Sequence, residues 1–81
     1  MPTVLNADEV RYFFDSLEGQ EPPHIPVERG GATGKFWLDP VELASSRGFR
    51  SHDLRRLRLV VIENRDRFTK AWHDHFGDKD E

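Results

Sequence analysis

The sequence predicts an α+β domain: a small, mostly antiparallel sheet of four to five short strands, with one long C-terminal helix packed on one face. Two observations lead to this fold class. Short β-prone segments, separated by turn residues, occupy the chain between residues 3 and 44. A segment without glycine or proline then runs from about residue 52 to residue 76, and its apolar residues recur at steps of three, four and seven.

Chain length and composition limit the architecture. The 81 residues make a single domain, 1–81, which carries no cysteine for a disulfide or a thiolate zinc site. A domain of this size buries only about 60% of the surface of its unfolded chain, so association with another protein adds useful stability. The N-terminus lacks the pattern of a signal peptide, and the longest apolar run, 59–62, has only four residues. We therefore expect a soluble, cytoplasmic protein without a cofactor.

Charge is unevenly distributed along the chain. The net charge is −3, from 12 Lys and Arg against 15 Asp and Glu, which disfavours a free nucleic-acid binder. Five arginines nevertheless fall between residues 47 and 58, and an acidic tail is predicted at 77–81. A basic patch can exist on an acidic protein. The arginine cluster is therefore a candidate contact for phosphate or an acidic partner, although a solvated helix face is the simpler interpretation.

The first two strands are predicted at 3–6 and 10–15, with a short acidic turn between them. Side chains alternate between the two faces of a strand, so Tyr12 and Phe14 share one face and Phe13 lies on the other. The apolar residues of the first face are expected to meet the helix.

The third strand is predicted at 24–28, after a polar connection at 16–21. Pro22–Pro23 fix their own φ angles and supply no amide protons, so regular pairing starts only after them. Alternation turns the aliphatic side chains of this strand inward, and turns His24 and Pro26 outward. Because proline cannot donate to a ladder, the strand lies at a sheet edge or its amide side faces water at that point.

A glycine-rich turn at 29–34 leads to the fourth strand, predicted at 35–38. Lys35 and Trp37 project from the face that the helix does not cover. An Asp-Pro pair ends this strand, and 41–44 is predicted as a short final strand, with the start of a helical turn as the alternative.

Residues 45–49 are predicted to form a loop, after which Ser51 can cap a helix through its hydroxyl. The helix is predicted at about 52–76 and ends at Gly77, a residue type that is common just after a helix. A break near Asn64, where the apolar stripe is interrupted, is the alternative to one helix of roughly 25 residues. The stripe consists of Leu54, Leu57, Val61, Phe68, Trp72 and Phe76.

Several motifs of this chain resemble those of a known family. They are Glu21-Pro22-Pro23-His24-Ile25-Pro26-Val27-Glu28, Lys35-Phe36-Trp37-Leu38-Asp39-Pro40-Val41-Glu42-Leu43-Ala44, Gly48-Phe49 and Ala71-Trp72-His73-Asp74-His75-Phe76. In this order and spacing they resemble the small bacterial domain-of-unknown-function family 4160, nearly end to end. The resemblance implies a short stand-alone bacterial protein of unestablished activity, often encoded beside a second small protein in an arrangement similar to toxin–antitoxin pairs. The family pattern commonly has a second histidine where this chain has Pro26.

A lone histidine at the start of the third strand is the first candidate for chemistry. Histidine is the side chain best suited to proton transfer at neutral pH. With His24 as general base, and Arg29 and Lys35 stabilising phosphate charge, the chain would be a small ribonuclease-like toxin. The interpretation we favour is that His24 orders the preceding prolines by hydrogen bonding to backbone. Enzyme activity is therefore left open and is not the preferred prediction.

No metal site is predicted. His73 and His75 are two positions apart on a helix, about 200° around its axis, so they cannot chelate one ion. The proline at position 26 removes the strand pair that His24 would form with a second histidine.

Candidate binding surfaces lie on both elements. Phe13 and Trp37 are next to cations on the uncovered sheet face, an arrangement that suits base stacking, although burial against a protein is favoured. Leu59 and Ile62 lie about 100–180° from the helix stripe, so they need a second surface to cover them.

Taken together, these residues predict a protein-interaction module that is one half of a toxin–antitoxin-like pair or a homodimer. Its binding residues are Phe13, Trp37, Leu59, Ile62, Arg55 and Arg56. The ribonuclease-like toxin is the first alternative, and a non-catalytic RNA or DNA binder is the second. No membrane partner is expected.

Overall fold

The computed structural model describes residues 3–14 and 22–76. In this part of the chain five antiparallel strands form one sheet in the order β1-β2-β3-β4-β5, and two helices cover one of its faces. The α+β class is therefore confirmed. The predicted connection at 16–21, the strand end at Asp15 and the acidic tail at 77–81 lie outside the described residues. The elements are β1 (Thr3–Ala7), β2 (Val10–Phe13), β3 (His24–Arg29), β4 (Ala32–Leu38), β5 (Val41–Arg47), α1 (Ser51–Glu63) and α2 (Arg65–Phe76).

Two-residue turns join the paired strands. Asp8 and Glu9 connect β1 to β2 with φ angles of 53° and 67°, and Gly30–Gly31 connect β3 to β4. Positive φ at a two-residue turn matches the twist of the flanking strands. Asp39–Pro40, joined by a cis peptide, connect β4 to β5. The first two turns lie at one end of the sheet, here called the acidic-turn end, and Asp39–Pro40 lie at the other, called the proline end.

The fourth and fifth strands are longer than the sequence predicted. β4 begins at Ala32 instead of Lys35, and β5 continues to Arg47 into the segment predicted as a loop. The ladder between them runs from Leu38↔Val41 to Thr33↔Arg47, with an irregularity between Lys35 and Phe36. Gly34, Ser45 and Ser46 are poor strand formers, so only the pairing of the two strands makes them extended.

The third strand decides between two alternatives and corrects one prediction. β3 is the central strand, so of the two alternatives for Pro26 the position at a sheet edge is wrong. The ladder that joins β2 to β3 ends at Tyr12↔Val27, and Pro26 lies beyond that last pair, where its missing amide proton costs no ladder bond. His24, predicted to face outward, is completely buried. It begins the strand at the proline end, where rings from α2 reach around it.

The predicted single helix is wrong, and its alternative, a break near Asn64, is confirmed. Asn64 has φ −108° and ψ 15°, and its side chain Nδ2 donates to the Val60 carbonyl at 2.9 Å. An asparagine side chain that binds the preceding turn competes with helical geometry. Arg65 then fixes the junction by donating from Nε to the Leu38 carbonyl at 3.0 Å. The helix also starts one residue earlier than predicted, with Arg50 at the N-cap position and Ser51 as its first residue.

The core lies between the sheet and the two helices. Tyr12 stacks on Phe68 with ring centroids 5.6 Å apart, which joins β2 to α2. Burying an aliphatic or aromatic side chain of this size contributes about 1.5–3 kcal/mol. The buried hydrophobic residues are Val10, Tyr12, Phe14, Ile25, Val27, Phe36, Leu38, Val41, Leu57, Val61, Phe68 and Trp72.

Substitution of Gly48 tests the junction between β5 and α1. Gly48 has φ +90°, and a Cβ there would lie 3.1 Å from the Ala32 Cα. We expect Gly48→Ala to lower the free energy of unfolding by about 1–3 kcal/mol, because an L side chain is strained at this φ. Gly31→Ala is the control, since a Cβ at Gly31 meets nothing within 4 Å. Denaturant unfolding measures both, and equal losses would contradict this explanation.

Candidate functional site

His24 lies inside an aromatic cluster at the proline end. Its ring centroid is 4.8 Å from that of Trp72 and 5.7 Å from that of Trp37. Its Nδ1 is 3.0 Å from the Pro22 carbonyl oxygen, the backbone contact favoured from the sequence. Phe14 and Phe76 extend the cluster, with centroids 5.7 Å and 4.2 Å from Trp72. His24 therefore orders the proline segment and packs against α2.

The three candidate catalytic residues are not brought together. His24 and Arg29 begin and end β3, roughly 16 Å apart at about 3.3 Å per residue. The Arg29 guanidinium forms an ion pair with Asp53 at 3.1 Å. Lys35 is paired in register with Pro26 on the outer face, 5.0 Å from the Trp37 ring centroid. A ribonuclease would need all three at one phosphate, and this arrangement does not provide that.

The sheet face opposite the helices carries the cations and aromatics predicted there. The Arg11 guanidinium lies 4.3 Å above the Phe13 ring and forms an ion pair with Glu28 at 2.9 Å. Phe13 and Trp37 are both only partly exposed. Each ring is thus already covered on one side by a cation of the same chain. Their role in binding stays a prediction.

The outer side of α1 carries the most exposed large hydrophobic side chains of the described residues. Leu59 is 60% exposed and Ile62 is 43% exposed. At about 100° per residue along α1 they fall within ~60° of one another and of Arg55, and they point away from the buried Leu57 and Val61. We call these three residues, Arg55, Leu59 and Ile62, the outer seam. Their spacing is four and three residues, and all three are exposed.

The arginines of α1 have separate surroundings. Arg55 belongs to the outer seam, whereas Arg56 lines a cavity on the side of the helix that faces β2. Among residues 3–14 and 22–76, neither guanidinium takes part in an ion pair or a hydrogen bond. From the sequence these two positions were predicted to form one basic patch. On the helix they are about 100° apart around the axis, so their side chains point to different sides.

The cavity lies at the acidic-turn end and was not predicted. It has a volume of about 280 Å³ and opens between the β1–β2 turn and α1. This volume is at the lower limit of small-molecule sites, about 300 Å³. No sequence motif indicated it, because its walls come from three separate segments. The lining residues are Asp8, Glu9, Val10, Tyr12, Arg29, Asp53, Arg56, Leu57 and Val60.

Two ionisable groups of the cavity, Tyr12 and Asp53, have pKa values that differ from their usual ones. Burial, with a smaller contribution from the Asp8 carboxylate, raises the pKa of Tyr12 to about 12. Burial alone would raise the pKa of Asp53, but the Arg50 backbone N–H and the Arg29 guanidinium outweigh it and hold this pKa below its usual value. At neutral pH the cavity therefore has a neutral phenol on its floor and a paired carboxylate in its wall.

The described residues form neither a metal-binding cluster nor a membrane-spanning helix. Within 3–14 and 22–76 no three His, Asp or Glu side chains come together in a group that could hold a metal ion. No helix in the same ranges combines the length and the apolar character that a membrane crossing requires.

Comparison with known proteins assigns the chain to a family. The family model described as "Domain of unknown function (DUF4160)" matches residues 10–73, which is most of the chain. The chain belongs to the DUF4160 family. The DUF4160 match includes His24, Trp37, Leu59 and Ile62, and the whole of the cavity except Asp8 and Glu9. No curated protein and no solved structure matches the chain.

Replacing His24 tests whether its role is structural. We expect His24→Ala to lower the free energy of unfolding by about 2–4 kcal/mol, because the substitution leaves a void among Trp37 and Trp72. His73→Ala, at an exposed position of α2, should change it by less than about 0.5 kcal/mol. Denaturant unfolding measures both values. A fully stable His24→Ala variant would show that the ring is not needed for packing.

The single tyrosine allows its ionisation to be followed directly. Tyr12 is the only tyrosine of the chain, so ultraviolet titration of tyrosinate reports it alone. We expect a midpoint near pH 12, against 10.0 for an unperturbed phenol, and Asp8→Asn should move it downward. Because folding raises this pKa, the contribution of the neutral phenol to stability is complete below pH 10 and is lost as the pH rises through 12. A midpoint of 10 in protein shown by circular dichroism to be folded would contradict the burial.

Proposed function

We propose that this protein is a protein-interaction module that binds through the outer seam, with a second copy of the chain as its partner. The observation that carries the proposal is the exposure of Leu59 and Ile62, 60% and 43%, on a helix whose opposite face is already in the core. Adjacent aliphatic side chains held at fixed positions on a helix are a typical docking surface. The membership in DUF4160 adds no activity of its own.

The outer seam is favoured over the uncovered sheet face as the binding surface. Phe13 and Trp37 are partly buried, and Arg11 and Lys35 lie over their rings. A partner would have to displace these cations to reach the aromatic faces. The seam requires no such displacement, since Leu59 and Ile62 point outward. The two surfaces lie on opposite sides of the molecule, so one compact partner cannot use both.

The two aliphatic residues of the seam are suited to self-association. When two α1 helices pack antiparallel about a two-fold axis, Leu59 of one copy faces Ile62 of the other, and the reverse contact is formed at the same time. Such an isologous contact is complementary to itself. The steps of four and three residues from Arg55 to Ile62 are those of a coiled-coil seam.

The small apolar area of the seam limits the affinity of the contact between two copies. Fully burying a Leu or Ile side chain contributes about 1.5–3 kcal/mol. With about half of each of four side chains still to be buried, the contact gains roughly 3–6 kcal/mol. Association costs at least about 4 kcal/mol in lost freedom. At most about 2 kcal/mol then remains, whereas a dimer with a dissociation constant of about 1 mM needs about 4 kcal/mol, so contacts beside these two aliphatic pairs must contribute.

A second small protein, as in a toxin–antitoxin-like pair, is the main competing partner. It would cover the same aliphatic residues with a larger complementary surface and bind more tightly. The ribonuclease alternative has no support from the geometry, because His24 is buried and Arg29 lies at the far end of its strand. A nucleic-acid contact through Arg55 and its neighbours would lose affinity steeply as salt concentration rises.

Replacing an aliphatic residue of the seam tests the contact between copies. Sedimentation at about 1 mM protein should show a concentration-dependent dimer. Ile62→Gln should abolish it, because the polar side chain would then lie against Leu59 of the other copy.

Leu43→Gln is the matched control, because Leu43 is 41% exposed but lies on β5 outside the seam. It should leave dimerisation unchanged, whereas Leu59→Gln should remove it. A monomer at every concentration would contradict self-association. If a purified second protein then bound the wild-type chain but not Leu59→Gln, the seam would have a different occupant. Salt-sensitive binding to oligonucleotides, lost in Arg55→Glu, would instead support the nucleic-acid alternative.

A further inference from the structure

The cavity at the acidic-turn end has a composition that selects a particular class of ligand. Its floor is apolar and comes from β2 and α1, through Val10, Tyr12, Leu57 and Val60. Its rim carries five charged side chains. The volume of about 280 Å³ is that of roughly nine water molecules, at about 30 Å³ each. A small organic molecule with a compact apolar part therefore fits, and a nucleotide does not.

Pairing inside the cavity leaves charges of both signs available. Arg29 and Asp53 neutralise each other at 3.1 Å. The remaining charges are Asp8 and Glu9 on the β1–β2 turn and Arg56 on α1. Among the described residues, 3–14 and 22–76, these three side chains have no ion-pair or hydrogen-bond partner. The cavity thus has an anionic wall and a cationic wall with an apolar floor between them.

The floor also offers a directional polar group. Tyr12 is 1% exposed and lines the cavity. Within the part of the chain that the structure describes, no hydrogen bond engages its hydroxyl. The hydroxyl is accessible from the cavity and can both donate and accept a hydrogen bond. A ligand in the cavity can supply the hydrogen-bond partner.

The two residues of the anionic wall, Asp8 and Glu9, have an unfavourable backbone conformation. Asp8 and Glu9 both have φ in the left-handed region, at 53° and 67°. Glycine is the residue that a two-residue hairpin turn prefers at its second position. A glutamate there is strained, so the chain holds a carboxylate at the cavity mouth where glycine would fold more easily. Strain of this kind is concentrated at binding sites.

We propose that this cavity binds a small zwitterion, a free amino acid with an apolar side chain. The ammonium group lies between Asp8 and Glu9, and the carboxylate accepts hydrogen bonds from Arg56. The side chain of the ligand packs on the apolar floor. A simple cation would meet repulsion from Arg56, and a simple anion would meet repulsion from the two carboxylates, so the zwitterion alone satisfies both walls.

Leucine and its two truncated analogues test the ligand class on the full-length protein. L-Leucine should give saturable chemical-shift changes in an NMR titration, centred on the cavity residues. 3-Methylbutylamine, which lacks the carboxylate, and 4-methylpentanoate, which lacks the ammonium, should each bind at least about tenfold more weakly, the usual effect of losing a charge-assisted hydrogen bond. No saturable change with leucine, or equal binding of either analogue, would overturn the proposal.

Two variants and a control locate the binding residues. Arg56→Gln should weaken leucine binding at least about tenfold and should raise the affinity for 3-methylbutylamine, because the repulsion between Arg56 and this cation is removed. Glu9→Gly should weaken leucine binding while it raises the Tm by roughly 4 °C or more, because it removes the strained backbone. Arg67→Gln, an exposed arginine of α2 outside the cavity, should change neither quantity. Wild-type leucine affinity in either Arg56→Gln or Glu9→Gly would overturn the assignment.

Discussion

The apolar inner face of the sheet has to be covered, and the rest of the structure depends on how the chain meets this requirement. A five-stranded meander presents the side chains of Tyr12, Ile25, Val27, Phe36 and Leu38 on one face, and all of them are buried. One straight helix could cover only part of such a face. The chain instead turns at Asn64, so that α1 lies near β5 and β4 while α2 packs on β3 and β4 and reaches Tyr12 through Phe68. The break is thus what allows one apolar stripe to cover the sheet.

The same arrangement explains the burial of His24. With α2 directed toward the proline end, Trp72 comes to within 4.8 Å of the His24 ring, and Phe14 and Phe76 enclose Trp72. The histidine that most resembled a catalytic base is therefore part of the aromatic packing, and the prolines before it are held by its contact with the Pro22 carbonyl. The motif around His24 has a structural explanation that needs no chemistry.

The first helix has three sides with different surroundings, and each side has its own consequence. Leu57 and Val61 lie in the core. Arg56 and Val60 face the cavity beside the β1–β2 turn. Leu59 and Ile62 face outward and are 60% and 43% exposed. A helix of thirteen residues thus connects folding, a candidate ligand cavity and a candidate protein contact. Because the outward and cavity sides do not share residues, the two proposals stand or fail independently.

The sequence by itself determined the α+β class, the strand alternation in β2 and β4, and the exposure of Leu59 and Ile62. These features follow from local periodicity, which depends only on the repeat of a strand or a helix. The tertiary structure alone decided the burial of His24, the separation of Arg55 from Arg56, the central position of β3 and the cavity. Each of these depends on how segments distant in sequence are placed together, for example Asp8 beside Arg56. No local pattern carries that information, because the direction of α2 is set by packing after the chain turns at Asn64.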